Sequence, residues 1–419
     1  MTNRTRRSFV TTVGTMSTLS LAGCVSSLNG SGSANDDPSA NETPPTGTSN
    51  SGSELSHLPG ESIADFEDLE QWVTMVDKGD LAATDDDPYA GSQSAHLTAD
   101  DATEYVGVYT TVSDGLDLSG KNLSLAVRYT GRQQLDLTLE LLAPNSRNAL
   151  GMRRTLTGPT DRWVRVDFGV NRVDTQPDLS DVREIRLVAR RRGDDGGSID
   201  CAIDDLRAVD RPETGAVMLV FDSTLESHHE VAFDVMQEYD YAGVEAIIPE
   251  AVGNDGRLTI DAMSELDDAG WDMAARPRTG AQFFDDFSPE EQEGLIRRTK
   301  TYLENRGFED GAKHFVTPKN VLGPDSMDLV REYHEQAFRY GGGPNGLPAT
   351  DPHNLGTFSG SADEAKRFVE YAAQYKQLAV LRFEYVGDDG ISERAFRDLL
   401  EHVDTQDVEV VTATDLLER

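Results

Sequence analysis

An unbroken apolar run, Ala216–Phe221, stops abruptly at Asp222-Ser223 within the stretch GAVMLVFDSTLESHHE. A short continuous run bounded by turn residues reads as a buried parallel strand. The carboxyl ends of such strands are where α/β folds collect binding and catalytic groups, so Asp222 is a candidate for chemistry. It serves equally as a cap for the helix that follows. His228 and His229 come next in the same connection. Adjacent side chains diverge on most backbones, so a shared metal needs a third ligand, with Glu250 or His353 as candidates; a solvated loop pair is the other reading. His314, at a strand start, reads as structural. Cys24 and Cys201, the two cysteines, sit in unlike contexts, which excludes a disulfide framework and a cysteine-rich zinc site.

The elements that would hold Asp222 alternate between strand and helix across a unit running from residue 213 to 419. Strands are expected at Ala216–Phe221, Val244–Pro249, His314–Thr317, Leu378–Phe383 and Val408–Val411. Helices are expected at His229–Tyr239, Asp261–Ala269, Pro289–Arg306, Ser361–Tyr375 and Ser392–His402. The clearest is Pro289–Arg306, with Ser288 as cap, Glu291 completing a capping box and Gly307 as terminator. Such alternation implies a mainly parallel sheet or barrel with helices outside. Gly341–Gly360 is a long turn-rich insertion, fit for a lid, a binding loop or surface decoration.

Residues 61–210 carry short apolar runs separated by Gly, Asp and Asn: Tyr105–Val112, Leu123–Tyr129, Leu135–Leu142, Trp163–Phe168, Ile185–Ala189 and Ile199–Leu206. That spacing predicts an all-β sandwich. Only 7% of the chain is aromatic, and Tyr89, Tyr105, Tyr109 and Tyr129 are the residues available for either a sugar platform or the core.

The 75 acidic residues against 38 basic ones give a net charge of −37, spread through every segment. Such a surface repels itself unless salt screens it, so the composition reads as halophilic. Nucleic acid is not an expected partner, because no basic patch is present to release counterions from phosphates. Arg6-Arg7 ahead of a modest apolar stretch reads as a twin-arginine export signal, and Leu21-Ala22-Gly23-Cys24 resembles a lipobox with Cys24 as the lipidated residue. Residues 25–60, rich in Ser, Gly, Asn, Thr and Pro, read as a flexible tether on the outer face of the membrane.

The segment 61–210 also resembles carbohydrate-binding jelly-roll modules, through Ile63–Leu69 with Trp72, Gly91–Ala95, Leu116–Gly120 and the last strand Ile203–Leu206. The resemblance implies a structural calcium between first and last strands, with Glu67 and Asp204 at the matching positions. A generally acidic surface is the alternative for both, and a non-binding spacer is the alternative for the module.

The unit 213–419 resembles the polysaccharide deacetylase family, a distorted (β/α) barrel that removes acetyl groups from glycans. Phe221-Asp222-Ser223 stands at the family's Phe-Asp-Asp, Trp271–Gly280 at its histidine-bearing stretch, Phe315–Asn320 at its Arg-Pro-Pro segment, and Leu381–Val386 with Val410–Leu417 at its ending. The resemblance implies a zinc-like metal held by one Asp and two His, a second Asp as base and a His as acid. Here Asp222 fills the base position, Ser223 replaces the ligand Asp, Arg276 and Gly280 replace the two ligand histidines, and Glu384 stands at the acid position. A guanidinium repels a unit positive charge ~4 Å away by about 4 kcal/mol at an effective dielectric of about 20, and a dication by about twice that. No cofactor is therefore expected in the barrel. Arg276 and Lys319 become candidate substrate-binding residues in a polar cleft with Asp222, Arg278 and Glu384. The resulting expectation is an exported, lipid-anchored protein that binds cell-surface or extracellular polysaccharide without the usual metal-dependent deacetylation. An active hydrolase on N- or O-acetylated polysaccharide, using Asp222, is the alternative, and a purely structural envelope component a third.

Overall fold

In a parallel strand buried on both faces, successive side chains alternate between the two sides, and the run Gly215–Asp222 is buried at every position. Ala216, Met218 and Val220 point into one core cluster with Val244, Ala246, Ala274, Val316, Phe338, Leu355 and Val380. Val217, Leu219 and Phe221 point into another, shared with Trp271 ahead of the third strand and with Leu303, Phe368 and Phe396 from the helical layer. The first cluster is the inside of a barrel. Asp222, next in the inward row, stands at its carboxyl-end mouth.

The computed structural model describes residues 55–130, 134–192, 197–387 and 390–419. The export signal, Cys24 and nearly all of the tether lie outside them. The described part of the chain is one compact unit made of a sandwich and a barrel. This is the architecture expected from the alternating patterns.

The barrel closes with seven parallel strands in chain order: Gly215–Asp222, Val244–Ile247, Asp272–Ala275, His314–Val316, Gln336–Tyr340, Leu355–Phe358 and Leu378–Phe383. Closure comes from the first strand pairing with both the second (Val220 opposite Val244) and the seventh (Met218 opposite Val380). Val408–Val410 adds an outer strand beside the first. Helices Ile260–Asp268, Pro289–Glu304, Pro324–Tyr333, Ala362–Tyr375 and Glu393–Asp404 cover the outside. The expected capping box is present: Ser288 Oγ accepts from Glu291 N and the Glu291 carboxylate accepts from Ser288 N at 3.0 Å. Ser288→Ala should cost about 1 kcal/mol, read as a lowered denaturation midpoint with unchanged slope.

The sandwich consists of two six-stranded antiparallel sheets. One runs through Asp80–Thr84, Ser94–Ala99, Ile199–Asp210, Lys121–Tyr129 and Val164–Phe168, with Glu61–Ala64 paired to Ile199–Asp210. The other is built from Val170–Val173, Ala149–Leu156, Gln134–Leu142, Val182–Arg192, Tyr105–Leu116 and Val73–Thr74. Their facing side chains, among them Phe66, Leu97, Val108, Leu125, Leu139, Leu187 and Ile203, form a single core. Cys201 is buried in it as a free thiol, and burial pushes its pKa up.

The insertion 341–360 is neither a lid nor decoration. It contains the sixth barrel strand, and its earlier part links strands five and six without the usual helix. The sandwich covers that side of the barrel instead. Asn122 Nδ2 donates to Leu347 O at 2.8 Å, Thr350 N donates to Asp167 at 2.8 Å, and Thr155 N donates to Gly341 O at 2.9 Å. Leu347 reaches into the cluster inside the barrel.

Candidate functional site at the barrel mouth

The turn after the first strand is forced open. Ser223 and Thr224 both take positive φ, 85° and 57°. For a β-branched residue this costs on the order of 1–3 kcal/mol and persists only where surroundings over-determine it. Here Thr224 Oγ1 accepts from Ile248 N at 2.7 Å and lies 3.2 Å from Ala246 O, while Leu258 N donates to Thr224 O at 3.1 Å and Arg257 donates to Ser223 O. The turn aims the Asp222 carboxylate across the mouth with only 7% of the residue exposed.

Two guanidiniums meet it there. Arg276, just past the third strand, pairs with Asp222 Oδ1, and Arg382, in the seventh strand, pairs with Oδ2. Burial pushes the Asp222 carboxyl up, but Arg382 and Arg276 together outweigh it and hold the group below the ordinary aspartate value. Arg276 is itself pulled down, chiefly by burial. A carboxylate so held is a weak proton acceptor. Arg382 also donates to Asn320 Oδ1, which accepts from Tyr340 N at 3.1 Å. Arg382 and Asn320 were not picked out from sequence. The available signal was period two: Leu378 and Val380 face inward, so Arg382 must as well.

Of the residues singled out in the sequence, Asp222 and Arg276 are brought into contact. Lys319 lies on the turn after the fourth strand, with φ of 51°, and donates to Ala281 O. Glu384 is exposed at the rim, where its charge reaches Arg276. Arg278 is exposed. Among the described residues, no group of three or more His, Cys, Asp or Glu side chains gathers to hold a metal ion. At the mouth, both oxygens of the Asp222 carboxylate are taken by fixed cations. The residues present do not fit a divalent cation there.

The two histidines diverge. His229 Nε2 lies 2.8 Å from Glu265 near the surface, whereas His228 is fully buried. Its Nδ1 faces the Glu245 carboxylate at 2.9 Å and its Nε2 faces Glu384 O at 2.7 Å. Glu250 pairs with Arg298 at 2.7 Å and His353 bonds His334 O at 2.7 Å, so neither joins the pair in a metal site. His314 bonds Thr414 Oγ1 at 3.1 Å, and burial pushes its pKa down to about 4.

With acceptors at both ring nitrogens, His228 sits in imidazolium surroundings. Burial alone would lower its pKa, but the Glu245 carboxylate and Glu384 O outweigh that and raise it. A raised histidine contributes stability that is full below its unfolded value of about 6.5 and is lost as pH rises through the native value. Denaturation midpoints should therefore fall as pH is raised from 6.5, and His228→Gln should flatten that fall. Because the pair is buried, salt should change the slope little.

In the sandwich, Glu67 accepts from Ser92 N, Ser92 Oγ and Gln93 N, and Asp204 accepts from Ala90 N, Ser94 Oγ and Asp205 N. Burial pushes Asp204 up to about 6. Through these bonds the two carboxylates act as clips on the turn 90–94. Tyr129 is core, and Tyr89 packs on Trp163 at 5.5 Å. Lys78 and Arg190 lie over the ring of Tyr105, and Tyr109 is half-buried.

No family model matches the sequence. No curated protein matches it either. Among solved structures, the chain is similar to the Xyl-CE4 domain of a multidomain xylanase from the hindgut metagenome of Trinervitermes trinervoides, with 15% identity, a TM-score of 0.34, and coverage of 49% of this chain and 91% of that one. It is also similar to a family 4 acetyl xylan esterase from Clostridium thermocellum in complex with cobalt, at 14% identity and a TM-score of 0.36, covering 48% and 90% respectively. A family 11 carbohydrate-binding module of a Clostridium thermocellum cellulase matches at 16% identity with a TM-score of 0.28, covering 37% of this chain and 96% of that module.

Proposed function

We propose that this chain is a glycan-binding protein of the cell surface, exported by the twin-arginine route and held by lipid on Cys24, whose barrel does not carry out metal-dependent deacetylation. The observation that supports it most is the Arg276–Asp222–Arg382 cluster. Two fixed cations stand where a hydrolytic barrel would need a dication, and the one carboxylate suited to activating water is held in its ionised, ion-paired form. The mouth keeps the position of a reaction centre with the charges of an anchor. Polysaccharide is the ligand class that the sequence resemblances imply for both halves of the molecule.

The test is direct. Full-length protein in strong brine, presented to arrayed polysaccharides, should retain a subset of them while releasing no acetate from acetylated members. Failure to bind any glycan would overturn the reading. Conversion of Cys24→Ala should move the protein from the membrane fraction to the medium, and retention of that variant on membranes would refute the lipid anchor.

A further inference from the structure

Beside the mouth, where the loops after strands three and four meet the sandwich, lies a cleft of about 790 Å³. That size falls within the range of about 300–1,000 Å³ common for ligand sites, and junctions between domains are favoured places for them. Arg192 and Thr157 line it from the sandwich, and Phe283, Asp286, Lys319 and Tyr340 from the barrel. Phe283 is 46% exposed, a large ring left facing water in a chain poor in aromatics. Lys319 Nζ stands 5.5 Å from the centre of the Phe283 ring, and Arg192 Cζ stands 5.2 Å from that of Tyr340.

Neither cation forms an ion pair among the described residues, whereas Arg128, Arg153, Arg162, Arg165 and Arg172 all do. With roughly two acids for every base, pairing would be easy to provide. Asp286 is committed to its own turn, where Oδ2 accepts from Phe283 N at 2.9 Å. The cleft therefore offers two ring faces and two cations with no ion-pair partner among the described residues, Lys319 bonded to Ala281 O and Arg192 to Thr155 Oγ1 at 3.3 Å, beside the carboxylates of Asp285 and Asp286. Ring faces suit the C–H side of a sugar, and a guanidinium suits a carboxylate or sulfate.

We infer that this cleft binds a short segment of an acidic glycan, with Lys319 and Arg192 taking its anionic groups and Phe283 stacking on a sugar ring. The inference rests on the glycan-binding reading and extends it to a substrate class and a place. The floor of the cleft connects to the mouth through Asn320, so an occupant would lie alongside the Asp222 cluster rather than over the sandwich alone.

Calorimetric titration of the full chain with an oligouronate and with a neutral β-glucan oligosaccharide of equal length tests this. The oligouronate should bind at least about tenfold more tightly than the neutral one. Phe283→Ala and Lys319→Met should each weaken it by about tenfold. Thermal midpoints of both variants should stay unchanged, which separates loss of binding from loss of fold. Equal affinity for the two oligosaccharides, or undiminished oligouronate binding by both variants, would overturn the inference while leaving glycan binding intact. If neither these nor any arrayed polysaccharide binds, the broader reading falls with it.

Discussion

Asp222→Asn should lower the folding stability of this protein by about 3–5 kcal/mol, the usual cost of removing one partner from a buried ion pair. Among the described residues the carboxylate is the sole acid ion-paired with two largely buried guanidiniums, whose side chains are 14% (Arg276) and 7% (Arg382) exposed. Neutralising it leaves two like charges facing each other in a recess that water reaches poorly. If Asp222 were a base held in reserve, the same substitution would abolish activity and leave stability nearly untouched. Denaturant unfolding in strong brine separates the two. Replacing Arg276 together with Asp222 should recover part of the loss, because one of the uncompensated charges goes with it.

Gly356→Ala should cost about 3 kcal/mol for a different reason, the crowding of an already filled interior. A Cβ at this position would stand 1.6 Å from Arg154 Nη1, and one at Gly341 would stand 2.5 Å from the same atom. Arg154 reaches from the sandwich through the gap left by these two glycines and is fully buried, bonding Asn345 Oδ1 at 2.7 Å and Asn354 Oδ1 at 3.2 Å. It cannot withdraw without abandoning those acceptors. Among the described residues it has no carboxylate partner, and burial together with the repulsion of Arg339 pushes its pKa down to about 9. Arg339, equally buried, bonds Asn354 Oδ1 at 2.9 Å, and burial pushes its pKa down to about 10. The junction of sandwich and barrel is thus held by amide oxygens around two guanidiniums. A double-mutant cycle of Gly356→Ala with Arg154→Ala should show strong favourable coupling; additive effects would mean that the side chain swings aside freely.

These two clusters mark how far the sequence could be read. Asp222 was legible as a candidate because an apolar run ending in a carboxylate places that group at the carboxyl end of a strand, although a helix cap suited the same residue equally well. Arg276 was legible only by register against a related pattern. Arg382 was hidden inside a strand whose apolar residues had already explained it, although its place in the period-two row was sufficient to point it inward. Arg154 gave no such signal. It stands in the polar run Arg153-Arg154-Thr155, and the tertiary meeting of Gly341 with Gly356 is what makes space for its guanidinium. The strand Asp272–Ala275 was missed as well, and Gln336–Tyr340 and Leu355–Phe358 were missed for a related cause. Of these last two, one carries the outward Arg339, and the other is embedded in a Gly- and Pro-rich stretch whose composition speaks of turns.

The insertion 341–360 shows the limit of local reasoning most plainly. Its length and turn content suited a lid, and its actual task, lining the barrel where a helix is missing, depends on a sandwich more than a hundred residues earlier in the chain. The His228–Glu245 pair belongs to the same category. Adjacent histidines in a loop suggest surface or metal, and the burial of just one of them follows from the packing of the first connection against Glu245 of the neighbouring strand.

The most direct measurement is equilibrium dialysis of the full chain against zinc and cobalt in strong brine, with metal content and acetate release from an acetylated polysaccharide read on the same sample. With guanidiniums closing both oxygens of Asp222, the barrel should retain no stoichiometric metal and release no acetate. One equivalent of metal per chain, lost in Asp222→Asn and accompanied by acetate release, would contradict this.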